Sequence, residues 1–181
     1  MESDLSNLDG LGYKGKTVVV TGGSSGMGEA TARFLGELGA KVHIVDIQPP
    51  KVPHESFHQC DLSDFAQVRA TAEALKAIAP IHFLFPCAGL PPHIKGPLYC
   101  MRVNYIGTRL FVESLVPSLA DGAGIALISS DAAMGWQKNQ ALSMEMLAIS
   151  DPDAAYAWCE ANVAARVRDG EGDGRRGVER D

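Results

Sequence analysis

Residues 16–39 limit the fold more than any other part of the chain. They begin with Thr17-Val18-Val19-Val20-Thr21, a run of branched residues that suits a buried strand. Gly22, Gly23, Ser24, Ser25, Gly26, Met27 and Gly28 follow at once, and Met27, Ala30, Thr31, Phe34 and Leu38 then recur at helical spacing up to Gly39. Strand, glycine-rich turn and helix in that order predict a dinucleotide-binding opening. Without a Cβ, Gly22 can take a tight turn, and the backbone near Gly26 can approach a pyrophosphate closely. Gly28 lets the helix lie near the strand, and the unpaired amides of the first helical turn then face the phosphate oxygens.

The pattern repeats downstream. A second strand is expected over 41–47, with Asp46 near its end, and Pro49, Pro50 and Pro53 force a loop before a short third strand over 57–60. Asp61, Leu62, Ser63 and Asp64 read as the turn into a helix whose apolar face is Val68, Ala72, Leu75 and Ile78, up to Pro80. A nearly apolar fourth strand covers 81–85, as for a parallel strand buried on both faces. After an irregular loop over 90–97, the longest helix is expected over 99–119, on Val103, Ile106, Leu110, Phe111, Leu115 and Leu119. Gly107 inside it costs about 1 kcal/mol relative to alanine, which makes sense if another backbone or a ligand passes closely. A fifth strand over 124–128 ends at Ser129, Ser130 and Asp131.

Regular alternation with right-handed crossovers implies an α/β fold, a doubly wound parallel sheet between two helical layers, stopping after the fifth strand. Residues 16–131 form the nucleotide-binding domain in this reading, after a polar lead-in over 1–15. A helical insert follows over 132–167, with one helix over 139–149 and a second capped by Asp151 with Pro152 at its first position. Residues 168–181, rich in glycine and arginine with a single aliphatic residue, cannot supply a core and are expected to be disordered.

Composition narrows the partners. With 181 residues, 46% of them hydrophobic, the chain can bury one core, and a net charge of −6 argues against a nucleic-acid or anionic-membrane surface. Cys60, Cys87, Cys100 and Cys159 have no metal-ligand spacing, so no metal site is expected, and their mostly apolar surroundings suit a reduced, cytoplasmic protein. The chain shows neither a signal-peptide pattern at its start nor an apolar run long enough to span a bilayer.

The chemistry falls at the carboxyl ends of the strands, where ligands bind in such sheets. Asp46, eighteen residues after Gly28, would accept hydrogen bonds from an adenosine ribose, with Ile47 beside it. It would repel a 2′-phosphate, and neither Ser24 nor Ser25 supplies the cation that NADP would want, so NAD is the expected cofactor. Asp61 and Leu62 follow the third strand. Cys87, Ala88 and Gly89 end the fourth, where small residues let a flat ring or ribose lie against the backbone.

From about residue 15 to residue 131 the sequence resembles the short-chain dehydrogenase/reductase family, which has a Rossmann-like fold. Thr21 to Gly28 matches its Thr-Gly-x-x-x-Gly-x-Gly coenzyme loop, Asp61-Leu62 its adenine-contacting pair, and Cys87-Ala88-Gly89 its Asn-Ala-Gly with cysteine first. Asn104, in Val-Asn-Tyr-Ile-Gly, matches the structural and proton-relay asparagine, and Ser130 the serine that orients substrate. The Cys-Ala-Gly variant and the helical insert are most similar to the bacterial 3-alpha-hydroxysteroid dehydrogenase/carbonyl reductase branch. The resemblance implies NAD-dependent hydride transfer with a secondary alcohol or ketone, such as a steroid or other apolar carbonyl. It also implies a tyrosine that moves the proton, helped by a lysine four residues on. No Tyr-x-x-x-Lys occurs here; Tyr156 is followed at that interval by Glu160 and reads as a helix-face aromatic. The family's last strands and helices, which carry that pair and much of the dimerising surface, have no counterpart in these residues. Negligible turnover is therefore expected, a catalytically inactive dinucleotide-binding fragment is the alternative, and homo-oligomerisation stays open.

Overall fold

The computed structural model describes residues 11–168. The first ten residues of the lead-in, and the tail from residue 169 on, lie outside them. Five parallel strands form one sheet: β1 (Thr17–Thr21), β2 (Lys41–Asp46), β3 (Ser56–Gln59), β4 (Ile81–Pro86) and β5 (Leu119–Ile125). Their order is β3-β2-β1-β4-β5, so the direction of winding reverses between β1 and β4. The β-branched centre of β1 is fully buried, and its alternation splits the core in two. Val18 and Val20 pack with Ala32, Leu35, Val42 and Ile44 under α1 (Gly26–Glu37). Val19 faces the opposite layer, where α2 (Phe65–Leu75) and α5 (Thr108–Leu115) supply Val68, Leu75, Phe111 and Leu115. The chain is thus a doubly wound α/β/α sandwich, as the alternation predicts.

Several boundaries differ, each for a visible reason. The buried face of α1 is Gly28, Ala32 and Leu35, whereas Met27 and Phe34, expected to face inward, are 65% and 40% exposed. The helix is rotated because Gly28 seats directly on the Gly22 carbonyl and fixes which side meets the sheet. The single helix expected over 99–119 is divided. It runs through α4 (Pro97–Met101), a π-helical segment (Arg102–Gly107) and α5, and a 3₁₀ turn at Val116–Ser118 containing Pro117 then stops it. Leu119 consequently opens β5 and pairs with Ile81, and the strand ends at Ile125 rather than at residue 128. A register shift between Ile81 and Phe83 accommodates the extra residues, with Gly124 lying on the Phe83 ring. The loop over 90–97 holds a further short helix, α3 (Pro92–Lys95).

Gly107 explains the π-helical segment. A Cβ built on it would lie 1.9 Å from the Leu62 carbonyl oxygen, so the close backbone approach anticipated from its mid-helix position is real. Widening the helix at this point lets the Leu62 chain pass. The same neighbourhood is clamped from the other side by Arg102. Its Nε donates to the Ser63 carbonyl at 2.6 Å, and its guanidinium lies between the rings of Phe65 and Tyr156, 4.9 and 4.6 Å from their centroids. Tyr156 belongs to α7 (Pro152–Arg168), whose first turn is capped by Asp151 accepting from Ala154 N–H. With α6 (Gln140–Ala148), it packs Met146, Ala155 and Cys159 against Phe65 and Ile106. Arg109 ties down the end of α6 through the Leu147 and Ile149 carbonyls.

Two predictions follow from this packing. Gly107→Ala must push the Leu62 backbone away, and the expected cost is about 1–3 kcal/mol, read as a Tm lowered by several degrees; an unchanged Tm would contradict the contact. On β2 and β3, Ser56 Oγ sits between His43 Nδ1 at 2.8 Å and His58 Nε2 at 2.9 Å. Burial holds both imidazoles below their ordinary value of 6.5, for His43 against an opposing pull from Glu55. The unfolded chain therefore takes up protons first. Stability should be full above about pH 6.5 and fall as the pH drops through that value toward the lower folded ones, and His58→Gln should flatten the denaturant-midpoint profile there.

Candidate functional site

The cleft at the carboxyl ends of β1 to β4 begins with a very close contact. Gly22 has φ +70°, and a Cβ there would meet the Ala88 backbone at 2.7 Å; one on Gly28 would lie 2.1 Å from the Gly22 carbonyl oxygen. Only glycine at both positions lets the turn after β1 lie between α1 and the end of β4. The Ser25 side chain makes no capping hydrogen bond to the first turn of α1, whose residues Gly26, Met27 and Gly28 line the cleft mouth. Their dipoles favour an anion.

Asp46, at the end of β2, is fixed by two backbone donors: Ser24 N–H to Oδ2 at 2.9 Å and Gln48 N–H to Oδ1 at 3.1 Å. Ser24 also donates its hydroxyl to the Gln48 carbonyl. Its side chain is thus spent on holding the turn against Asp46, and Ser24 is absent from the cleft wall. The wall encloses about 370 Å³ and includes Gly22, Ser25, Gly26, Met27 and Gly28. Asp46, Ile47, Asp61, Leu62, Cys87, Ala88 and Gly89 complete the predicted set. Burial pushes the half-buried Cys87 thiol up, partly offset by a hydrogen bond with Thr31.

Two further expected residues stand elsewhere. Asn104 lies in the π-helical segment and grips the Leu90 backbone in both directions, accepting from its N–H at 3.0 Å and donating to its carbonyl at 2.9 Å. It fixes the chain leaving β4. Ser130 follows β5 in an exposed stretch and donates to Asp131 Oδ1 at 3.1 Å; it does not line the cleft. Tyr156 is held under Arg102, outside the cleft, as a helix-face aromatic should be.

Sequence reasoning missed Leu90, Ile94, Lys95, Tyr99 and Val103, which also line the cleft. They come from the segment read as an irregular loop and a helix start. The Lys95/Tyr99 spacing of four was a signal, obscured because Gly96, at φ +85°, breaks the helix between them. Among the described residues no three His, Cys, Asp or Glu side chains group as metal ligands, and no helix is long and apolar enough to cross a membrane. All four cysteines are free thiols.

Known proteins share both the sequence pattern and the fold. Coniferyl-alcohol dehydrogenase of a Pseudomonas species is 31% identical over 150 residues, covering 83% of this chain and 58% of that one. The (-)-isopiperitenol/(-)-carveol dehydrogenase of Mentha piperita is 33% identical over 140 residues, 66% of this chain and 53% of that one. Among solved structures, 3-alpha-hydroxysteroid dehydrogenase from Pseudomonas sp. B-0831, complexed with NADH, superposes with a TM-score of 0.65 at 22% identity, over 81% of this chain and 57% of that one. A short chain dehydrogenase family protein from Francisella tularensis gives a TM-score of 0.60 at 22% identity, over 78% and 65%. The chain thus spans little more than half the length of the two curated dehydrogenases. The family model for short chain dehydrogenase matches residues 16–143, from just before β1 into α6, and the chain belongs to that family.

Proposed function

We propose that these residues bind NAD, as the coenzyme module of an oxidoreductase lineage acting on secondary alcohols or ketones, and do not themselves complete the reaction. The observation that carries the reading is the Gly22–Gly28 cradle opening onto a cleft with an anchored carboxylate at its side. Glycine at both positions lets the turn pack close enough to keep the α1 amides at the cleft mouth, where a pyrophosphate would lie. Asp46 sits one strand outward, where a ribose attached to that pyrophosphate would present hydroxyls. A carboxylate accepts from such hydroxyls and repels a 2′-phosphate, which favours NAD over NADP. Asp61 and Leu62, one strand further, would face the adenine. Cys87, Ala88 and Gly89 would floor the other half of the ligand. When bound, NAD supplies a nicotinamide ring that accepts hydride.

The protein's own part in the chemistry would be the proton. Ser130 would hold the substrate oxygen and Asn104 a relay water, but the sequence holds no Tyr-x-x-x-Lys pair to serve them, and the Lys95 ammonium and Tyr99 phenol are engaged with each other and, through the phenol, with Asp61. Asn104 is engaged with Leu90, and Tyr156 with Arg102. Loss of general acid–base catalysis typically costs a factor of ~10² to 10⁴. Binding without turnover is therefore the favoured form of the reading. A steroid or another apolar carbonyl is the substrate class proposed for the lineage, on its likeness to the hydroxysteroid dehydrogenase fold.

Three measurements test this. NAD at about ten times its Kd should add about 1.4 kcal/mol and raise Tm by several degrees, with NADP needing at least about tenfold more for the same rise; tighter NADP binding would overturn the role of Asp46. In thiol alkylation at about pH 8.5, chosen because burial raises both thiols, NAD should slow labelling of Cys87 about tenfold and that of Cys100 less than twofold. Equal rates with and without NAD would contradict the cleft assignment. Finally, NAD with a secondary alcohol should give no NADH above background, and turnover abolished by Ser130→Ala would show the chain to be catalytic after all.

A further inference from the structure

The outer end of the cleft holds a polar cluster that neither the coenzyme loop nor the proton chemistry uses. Asp61 Oδ1 accepts from the Ser63 N–H at 2.8 Å, and the Tyr99 hydroxyl lies 3.3 Å from Asp61 Oδ2 and 3.5 Å from Oδ1. The same phenol oxygen is 3.3 Å from Ser63 Oγ and 3.2 Å from Lys95 Nζ, while the Lys95 ammonium also stands 4.4 Å from the Tyr99 ring centroid. Proton counting fixes the direction of this network. An ammonium only donates, and the serine hydroxyl donates to the phenol oxygen, so both lone pairs of Tyr99 are taken. Its one proton then goes to Asp61, because an ionised carboxylate only accepts. One backbone donor, the Ser63 N–H, and one side-chain donor, the Tyr99 hydroxyl, thus hold the Asp61 carboxylate at a set angle to the cleft that it lines. Lys95 is the one cation among the residues lining that cleft.

Strand order says what lies opposite. Going outward from β1 through β2 to β3, the cleft presents the glycine cradle, then Asp46, then Asp61. A dinucleotide laid with its pyrophosphate on the cradle and its ribose at Asp46 reaches Asp61 with its purine. A fixed acceptor suits a 6-amino group, which donates, and opposes a 6-oxo group, which accepts. We infer that Tyr99, braced by Lys95 and Ser63, is a positioning residue that orients Asp61 to select a 6-aminopurine dinucleotide over its 6-oxo counterpart.

This rests on the coenzyme reading, so the test separates the two. Kd values for NAD and for nicotinamide hypoxanthine dinucleotide are measured by calorimetry on the full chain and on Tyr99→Phe, Lys95→Met, Asp61→Ala and the Tyr99→Phe/Asp61→Ala double variant. The wild type should prefer NAD about tenfold. Tyr99→Phe should cut the preference to about twofold by weakening NAD alone, with Tm nearly unchanged. Lys95→Met, an exposed substitution that leaves the fold intact, should lower it about threefold. In the Asp61→Ala background Tyr99→Phe should change nothing further, whereas a merely structural tyrosine would weaken both dinucleotides in either background. A preference kept in Tyr99→Phe, or both ligands weakened alike, overturns the positioning role. Equal wild-type affinity for the two dinucleotides overturns it too while leaving NAD binding intact, and failure to bind either overturns both.

Discussion

The contact of Gly28 with the Gly22 carbonyl is the constraint on which the rest depends. It sets the rotation of α1 on the sheet, so that Ala32 and Leu35 rather than Ala30 and Phe34 enter the core. It also sets where the helix N-terminus points. A methyl group at that spot would need the helix to lift, and the first-turn amides would then leave the mouth of the cleft. The packing of one core layer and the placement of the proposed anion site are thereby the same event. Asp46 adds to it from the side, since the carboxylate that would meet a ribose also accepts from Ser24 and so pins the turn.

A second close approach organises the outer half of the cleft. Gly107 lets Leu62 cross the π-helical segment, and Arg102 holds Ser63 while lying between Phe65 and Tyr156. The turn after β3 is therefore gripped by the helical segment that follows β4 and by α7. This gives α7 a purpose within the described residues: it backs the loop carrying Asp61. It also explains why Tyr156, the one tyrosine placed after Ser130 in the chain, is a packing element. An exposed apolar stretch, Leu127 and Ile128 at 63% and 52%, follows β5 at the sheet's edge.

Much of this was legible in the sequence because the signals were local. The branched run of β1, the glycine turn and Asp46 are adjacent in the chain, and a strand–turn–helix unit needs no distant partner to be recognised. Gly107 was readable for a related reason, as a residue too costly for a helix interior unless something approaches it. What failed to show was decided by packing across the chain. The face of α1 could not be phased from hydrophobicity, because Met27 and Phe34 are apolar yet exposed, and the determining contact is one glycine on a carbonyl. The start of β5 at Leu119 was hidden because an apolar residue after a helix continues the helical pattern until Pro117 is weighed. Lys95 and Tyr99 escaped notice since their partner, Asp61, is more than thirty residues away, in the turn after β3.

The most direct measurement of the central claim is the backbone amide spectrum of the isotope-labelled protein, titrated with NAD. The N–H resonances from Gly22 to Gly28 should move first and furthest, with Asp46 and Asp61 following and the Ala155–Cys159 region of α7 unmoved. A well-dispersed spectrum in which millimolar NAD leaves the Gly22–Gly28 amides in place would contradict it.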